Sequence, residues 1–262
     1  MEIVTHENVI CVKGGTSLAV YLYLVDGMLI DTQSHNMLEQ LIPFYETNTI
    51  HSVALTHSHE DHVGTAAWLE QNKSIPIYIH PSSIEFCSMP TTYQKYRQDF
   101  WGIREPFSAQ PLIDTIDSNR YTWKVIETPG HAEDHVVFYN EETGQLFSGD
   151  LFLTPKPRII MSHESVPTIM HSIRTVLTHD FESMFCCHAG YIADGKQLLQ
   201  MKLDFLENIC GEILYLHQQG HTISEINKEL FPKEAPIITI SEGQFDSIHI
   251  VRSVVTEMGI KI

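Results

Sequence analysis

The stretch His57-Ser58-His59-Glu60-Asp61-His62 places three imidazoles and two carboxylates within six positions. Imidazoles crowded this closely are held at low cost when a cation lies between them, and neutral imidazole nitrogens and carboxylate oxygens are the usual ligands of zinc and similar divalent ions. One ion needs about four donors, so two ions need more than this cluster supplies. Further candidates follow later in the chain, each just beyond a strand-like run. His131 comes after Thr128-Pro129-Gly130, Asp150 after Ser148-Gly149, and His188 after Met184-Phe185-Cys186-Cys187. The candidate ligands are therefore His57, His59, Asp61, His62, His131, Asp150 and His188. Two divalent ions about 3.5–4 Å apart share a water and lower its pKa to about 7, which makes a nucleophile for a carbonyl carbon at neutral pH. Asp61 is the candidate catalytic residue, one oxygen ligating an ion while the other orients the nucleophile and moves a proton. Cys186 and Cys187 are expected as core residues rather than nucleophiles, because neighbours on a strand face opposite sides.

Several elements must deliver these side chains. Residues 17–32 predict two strands joined at Asp26-Gly27, a pair that tolerates positive φ in a tight hairpin turn. A helix is expected in the stretch 35–48. The short apolar strand 51–55 runs into the histidine cluster, where alternating directions let His57 and His59 point the same way. A helix in 63–72 and a strand in 75–81 follow, an α/β rhythm. Residues 84–112 carry Met89, Tyr93, Tyr96, Phe100, Trp101 and Phe107 without a clean period, and are expected as an irregular, partly helical insertion flanking the site. Strands resume in 122–129, 135–140 and 145–150, followed by a helix in 166–179 and a strand in 183–190. From Asp194-Gly195 onward the pattern is helical, with a long amphipathic run ending at Gly220 and a capping box at Thr222 and Glu225. The expected division is an α/β body over 1–193 and a helical region over 194–262.

The chain has 262 residues, 43% of them apolar and 10% aromatic, enough for a sizeable core. Against 33 acidic residues stand 16 basic ones, a formal charge of −17, which argues against nucleic acid or an anionic membrane over most of the surface; a small-molecule substrate is the expected partner. Five cysteines without a CxxC pair do not make a disulfide framework, and neither a signal peptide nor a membrane-length apolar run is expected; the chain is expected in the cytoplasm.

Taken in order, the HxHxDH run of residues 57–62, Thr128-Pro129-Gly130-His131, Ser148-Gly149-Asp150 and the late His188 resemble the metallo-β-lactamase-fold hydrolases, in the style of their glyoxalase II and lactonase branches. The resemblance spans about residues 8–190. It implies an αββα sandwich, α/β in class, carrying a helical C-terminal appendage. It also implies that His57, His59 and His131 hold a first ion, that Asp61, His62 and His188 hold a second, and that Asp150 bridges them. Zinc is the first choice of metal, with iron or manganese accepted by the same donors. An ester-like substrate is implied, thioester or lactone; the alternatives within the family are an iron-dependent persulfide dioxygenase and an endoribonuclease. Lactonases of this type carry a tyrosine three residues beyond the bridging aspartate, where this chain has Leu153. Glyoxalase II-like enzymes bind glutathione carboxylates with basic residues of the tail; Lys196, Lys202, Lys228 and Lys233 lie there without forming a paired basic motif. His135, His163 and Tyr191 are further candidates for supporting or lining the site.

Overall fold

Asp26 and Gly27 take φ angles of +48° and +82°, so both central residues of the two-residue turn between paired Val25 and Met28 are left-handed. That is the type I′ geometry whose twist matches a hairpin. The structure, a computed structural model, describes residues 1–15, 18–233 and 235–259; Ser17, where the expected hairpin begins, lies outside the described residues. The hairpin strands Val20–Val25 and Met28–Ile30 sit inside a seven-stranded sheet whose order follows the sequence. Before them come Glu2–His6 and Val9–Gly14, paired antiparallel. After them Ser52–Ala54, Ile77–Ile79 and Gln110–Pro111 add in parallel. A second sheet has six strands in the order Gly190–Ile192, Ser183–Cys186, Gln145–Gly149, Val136–Asn140, Thr122–Glu127, Thr115–Asp117.

The chain divides into two compact units. The first comprises Met1–Glu127, Asp134–Asp150 and Asp180–Gly195 and contains both sheets. Strand Val20–Val25 is buried on both faces, and its period of two sends successive side chains to different cores. Tyr23 points to the second sheet, with ring centroids 5.4 Å from Phe147 and 5.4 Å from Phe185, and Trp123 stands 5.2 Å from Phe147. Leu22 and Leu24 point the other way, into a cluster with Leu41, Phe44 and Tyr45 of the helix Leu38–Thr47 and Leu69 of the helix Ala66–Lys73. The second unit comprises Thr128–Glu133, Leu151–His179 and Lys196–Ile262. It holds the helix Val166–Leu177, most of Gly195–Gln218, then Ile223–Leu230, Pro236–Ile240 and Ile248–Met258. The capping box forms, with Thr222 accepting from the Glu225 N–H and the Glu225 carboxylate accepting from the Thr222 N–H. Among the described residues no helix is long and apolar enough to cross a membrane.

Residues 84–112 form the helices Ile84–Ser88 and Lys95–Trp101 and the short strand Gln110–Pro111. Tyr96, Trp101 and Phe107 are buried, and the guanidinium of buried Arg104 donates to the carbonyls of Phe86, Cys87 and Met89, closing the end of the first helix. The aromatic residues thus include a packing cluster, while Met89 is exposed.

The fold gathers strand ends. Met28–Ile30 and Ser52–Ala54 run parallel, so Asp31 and the 57–62 segment leave the first sheet at one edge. Gln145–Gly149 and Ser183–Cys186 also run parallel, so Asp150 and His188 leave the second sheet at one edge. The Val136 N–H donates to the Thr56 carbonyl at 2.8 Å and the Tyr21 N–H to the Cys187 carbonyl at 2.7 Å, stitching the two sheets together there.

Candidate metal centre

Asp31 is the anchor of the first unit's polar cluster. It is fully buried at φ +58°, where Asp is one of the few side chains that local hydrogen bonding lets into this region. The Thr56 N–H donates to Oδ1 at 2.8 Å and the Thr56 hydroxyl to Oδ2 at 2.8 Å. The Cys187 thiol donates to the same Oδ2 at 3.0 Å, and His62 Nδ1 lies 2.8 Å from it. A carboxylate accepts, so Nδ1 of His62 carries its proton toward Asp31, and a neutral ring then presents the Nε2 lone pair on its far side. This Nε2 is buried and makes no hydrogen bond; it faces Asp61 Oδ2 at 3.7 Å and Asp150 Oδ1 at 3.5 Å.

His188 repeats the arrangement from the other sheet. Its Nδ1 is 2.7 Å from the Ala19 carbonyl, and its Nε2 is 3.2 Å from Asp150 Oδ2 and 3.6 Å from Asp61 Oδ2. Two imidazole Nε2 atoms and two carboxylates therefore converge. Burial by itself lowers the His62 and His188 pKa values, but Asp150 and Asp61, joined by Asp31 at His62, outweigh it. His62 is raised well above its ordinary value and His188 to about 9. The carboxylates draw positive charge to this point, and the donor set, imidazole nitrogens and carboxylate oxygens with His62 Nε2 buried and making no hydrogen bond, fits a divalent cation that would take the place of the imidazole protons. Ligand atoms of Asp61, His62 and His188 lie within 4.8 Å of one another, as do those of His57, His62 and Asp150.

His57 and His59 complete this half. The His57 ring centroid is 4.1 Å from that of His62 and 4.5 Å from that of His59, and His57 Nε2 is 3.0 Å from His59 Nδ1. The loop that carries them is tied by Asp134, whose Oδ2 accepts from the Ser58 N–H at 2.8 Å and the Ser83 hydroxyl at 2.6 Å. Asp150 is held by His135, whose Nε2 accepts the Asp150 N–H at 2.9 Å. Gly149 makes this approach possible. It sits at φ +48°, and a Cβ there would lie 2.5 Å from His135 Nε2 and 3.0 Å from the Thr56 Cβ.

Six of the seven sequence-derived candidates, His57, His59, Asp61, His62, Asp150 and His188, thus lie together in the first unit. His131 belongs to the second unit. There it follows Gly130, at φ +127° with a would-be Cβ 2.6 Å from the Ile169 nitrogen, and its Nδ1 is 3.3 Å from Glu164 Oε1. Tyr191 is not part of the cluster: it stacks on His6 with centroids 4.4 Å apart, and its hydroxyl donates to Glu7. His163 is exposed. Lys196 donates to the His179 carbonyl, and buried Lys202 to the carbonyls of Leu151 and Phe152. Sequence reasoning missed Asp31, Asp134 and Glu164. Asp31 alone carried a usable signal, an aspartate just beyond an apolar strand, as at Asp150.

Residues 16–190 match the profile of the Metallo-beta-lactamase superfamily. The chain is similar to "Probable metallo-hydrolase YqjP" of Bacillus subtilis, at 25% identity over 91% of this chain and 90% of that protein. It is also similar to the hydroxyacylglutathione hydrolase GloC of Haemophilus influenzae, at 28% identity over 55% of this chain and 70% of that protein. Its fold matches that of a metallo-beta-lactamase family protein from Thermus thermophilus with a TM-score of 0.72 at 19% identity, covering 96% of this chain and 94% of the other. With the histidine and aspartate cluster at the strand ends and a family match over most of the α/β body, the chain belongs to the metallo-beta-lactamase superfamily.

Proposed function

We propose that this chain is a binuclear metal-dependent hydrolase of ester-like bonds, with a thioester as the first choice of substrate and a lactone as the second. The observation that carries the reading is His62 Nε2, buried without a hydrogen bond and aimed, together with His188 Nε2, at Asp61 and Asp150. Asp61, His62 and His188 would hold one ion, and His57 and His59, with His131 assigned by the sequence motif, the other; Asp150 would serve both. Zinc is the proposed metal, since imidazole and carboxylate donors suit it.

When bound, such a pair of ions acidifies a shared water and polarises a carbonyl. The chain's own residues do the rest. Asp31 and the Ala19 carbonyl fix the ring orientations of His62 and His188. Asp61, whose Oδ2 faces His62 and His188, would take up the proton of the attacking water and pass it to the departing thiolate or alkoxide. The thioester preference is supported by the similarity to a hydroxyacylglutathione hydrolase, hydroxyacylglutathione being itself a thioester. The formal charge of −17 favours a small molecule over RNA, and five buried cysteines outside any disulfide suit a reducing compartment, for which we propose the cytoplasm.

Metal quantification on the purified protein, followed by assays on thioesters, lactones, β-lactams and phosphodiesters, tests the reading. Two zinc ions per chain with thioester turnover is the expected result. A single iron with oxygen uptake and sulfite formation from a persulfide would replace hydrolysis by oxidation.

A further inference from the structure

The short helix Glu60–Val63 carries Asp61 and His62, yet a single turn has no stability of its own. Its N-cap, His59, makes no side-chain capping bond, and all four of its side chains are buried. Something outside the helix must hold it. Besides the Asp31 contact to His62 Nδ1, the strand-end loop ties the helix backbone: the His62 carbonyl accepts from the Thr32 N–H at 2.7 Å and from the Thr32 hydroxyl at 3.0 Å. A further tie comes from a different part of the chain. Arg97, in the helix Lys95–Trp101, forks onto the Glu60 carboxylate, with Nε donating to Oε1 and Nη2 donating to Oε2 at 2.9 Å. The guanidinium lies 5.2 Å from the Trp101 ring centroid, one turn further along the same helix.

Glu60 is 1% exposed and Arg97 is 7% exposed. A buried ion pair adds little net stability over an apolar pair of the same volume, because both charges lose their water. What a bidentate fork does supply is a fixed position and orientation for the carboxylate. Here the carboxylate belongs to the residue next to Asp61, so the fork sets where the helix begins and where Asp61 points. We propose that Arg97 is a positioning residue of the metal centre. Through Glu60 it fixes the one-turn helix and so sets the affinity for the ion that Asp61 and His62 would share with His188. This rests on the two-ion reading above, and it assigns a role to the aperiodic segment 84–112: part of that segment is the outer support of the metal-binding turn.

Zinc titration of the chelator-stripped protein against a chromophoric competitor tests the proposal, with His188→Ala identifying which of the two binding steps belongs to the Asp61 ion. Arg97→Gln and Glu60→Gln are each expected to weaken that step about 10- to 100-fold, the range for residues that orient ligands without touching the metal, and to leave the other step within about twofold. Because Arg97 acts through Glu60, the double variant is expected to lose no more than either single one. Should Arg97→Gln fail to fold, Arg97→Lys keeps the charge and loses the fork, and is expected to weaken the same step about tenfold. A lowered melting temperature with both zinc steps unchanged would make the pair purely structural and overturn the proposal alone. A wild-type protein that takes up one zinc only would remove the two-ion reading and the proposal with it.

Discussion

Asp31→Asn tests whether Asp31 shapes the candidate metal centre or merely fills space. The carboxylate receives one donor at Oδ1, the Thr56 N–H, and three groups at Oδ2: the Thr56 hydroxyl, His62 Nδ1 and the Cys187 thiol. An asparagine that keeps its oxygen toward the Thr56 N–H turns its NH2 toward the other three. The hydroxyl can rotate to accept, and the thiol sulfur is a weak acceptor. His62 Nδ1 can accept only if its proton moves to Nε2. That tautomer turns the atom facing Asp61 and Asp150 from a lone-pair donor into an N–H. Losing hydrogen bonds to a buried carboxylate costs about 1.5–3 kcal/mol each, so with the hydroxyl bond re-formed and those of His62 and Cys187 lost the metal-free protein should lose ~3–6 kcal/mol. Zinc affinity should fall ~100-fold, about 2.7 kcal/mol. Urea unfolding of the chelated protein reads the first number and zinc competition the second. Zinc binding within about twofold of wild type would refute the tautomer reasoning, even if stability fell as expected.

Three further outcomes follow from the same geometry. Gly149→Ala places a methyl 2.5 Å from His135 Nε2 at a left-handed position, and should lower stability by ~1–3 kcal/mol and reduce bound metal by displacing Asp150; an unchanged melting temperature and metal content would contradict this. Trp123→Ala empties a fully buried site between the sheets and should cost ~3–5 kcal/mol in urea unfolding, a loss under about 1 kcal/mol showing that the core re-closes around it. Burial works to raise the Asp26 carboxyl, but the Arg120 backbone N–H and guanidinium and the Ser118 hydroxyl prevail and hold it below its ordinary 3.8. A depressed folded pKa contributes stability present above the unfolded value and lost as pH falls through the folded one. Since Asn also tolerates positive φ, wild type should melt above Asp26→Asn at pH 6, and the gap should close below pH 3.8; an equal gap at both pH values would mean the charge is irrelevant.

Much of the fold was legible because short-range chemistry declares it. Asp26-Gly27 requires positive φ, and Thr222 with Glu225 closes a helix using only its own neighbours. Residues 84–112 were legible only as an irregular or partly helical insertion, without the bounds of the helices Ile84–Ser88 and Lys95–Trp101. Their apolar side chains are buried by contacts that follow no period, and the Arg104 cap joins positions 15 to 18 residues apart. The strands Glu2–His6 and Gly190–Ile192 and the helix Pro236–Ile240 escaped because short or mostly exposed elements leave little hydrophobic period to read.

The sequence by itself determined the candidate donors, since imidazole and carboxylate at the spacing of residues 57–62 have few uses apart from a cation. Only the tertiary structure decided which residues orient them. Asp31 reaches Thr56 across 25 residues, His62 across 31 and Cys187 across 156. Such pairings arise from the register of parallel strands and the packing of one sheet on the other, which bring strand ends together at distances that local spacing does not encode.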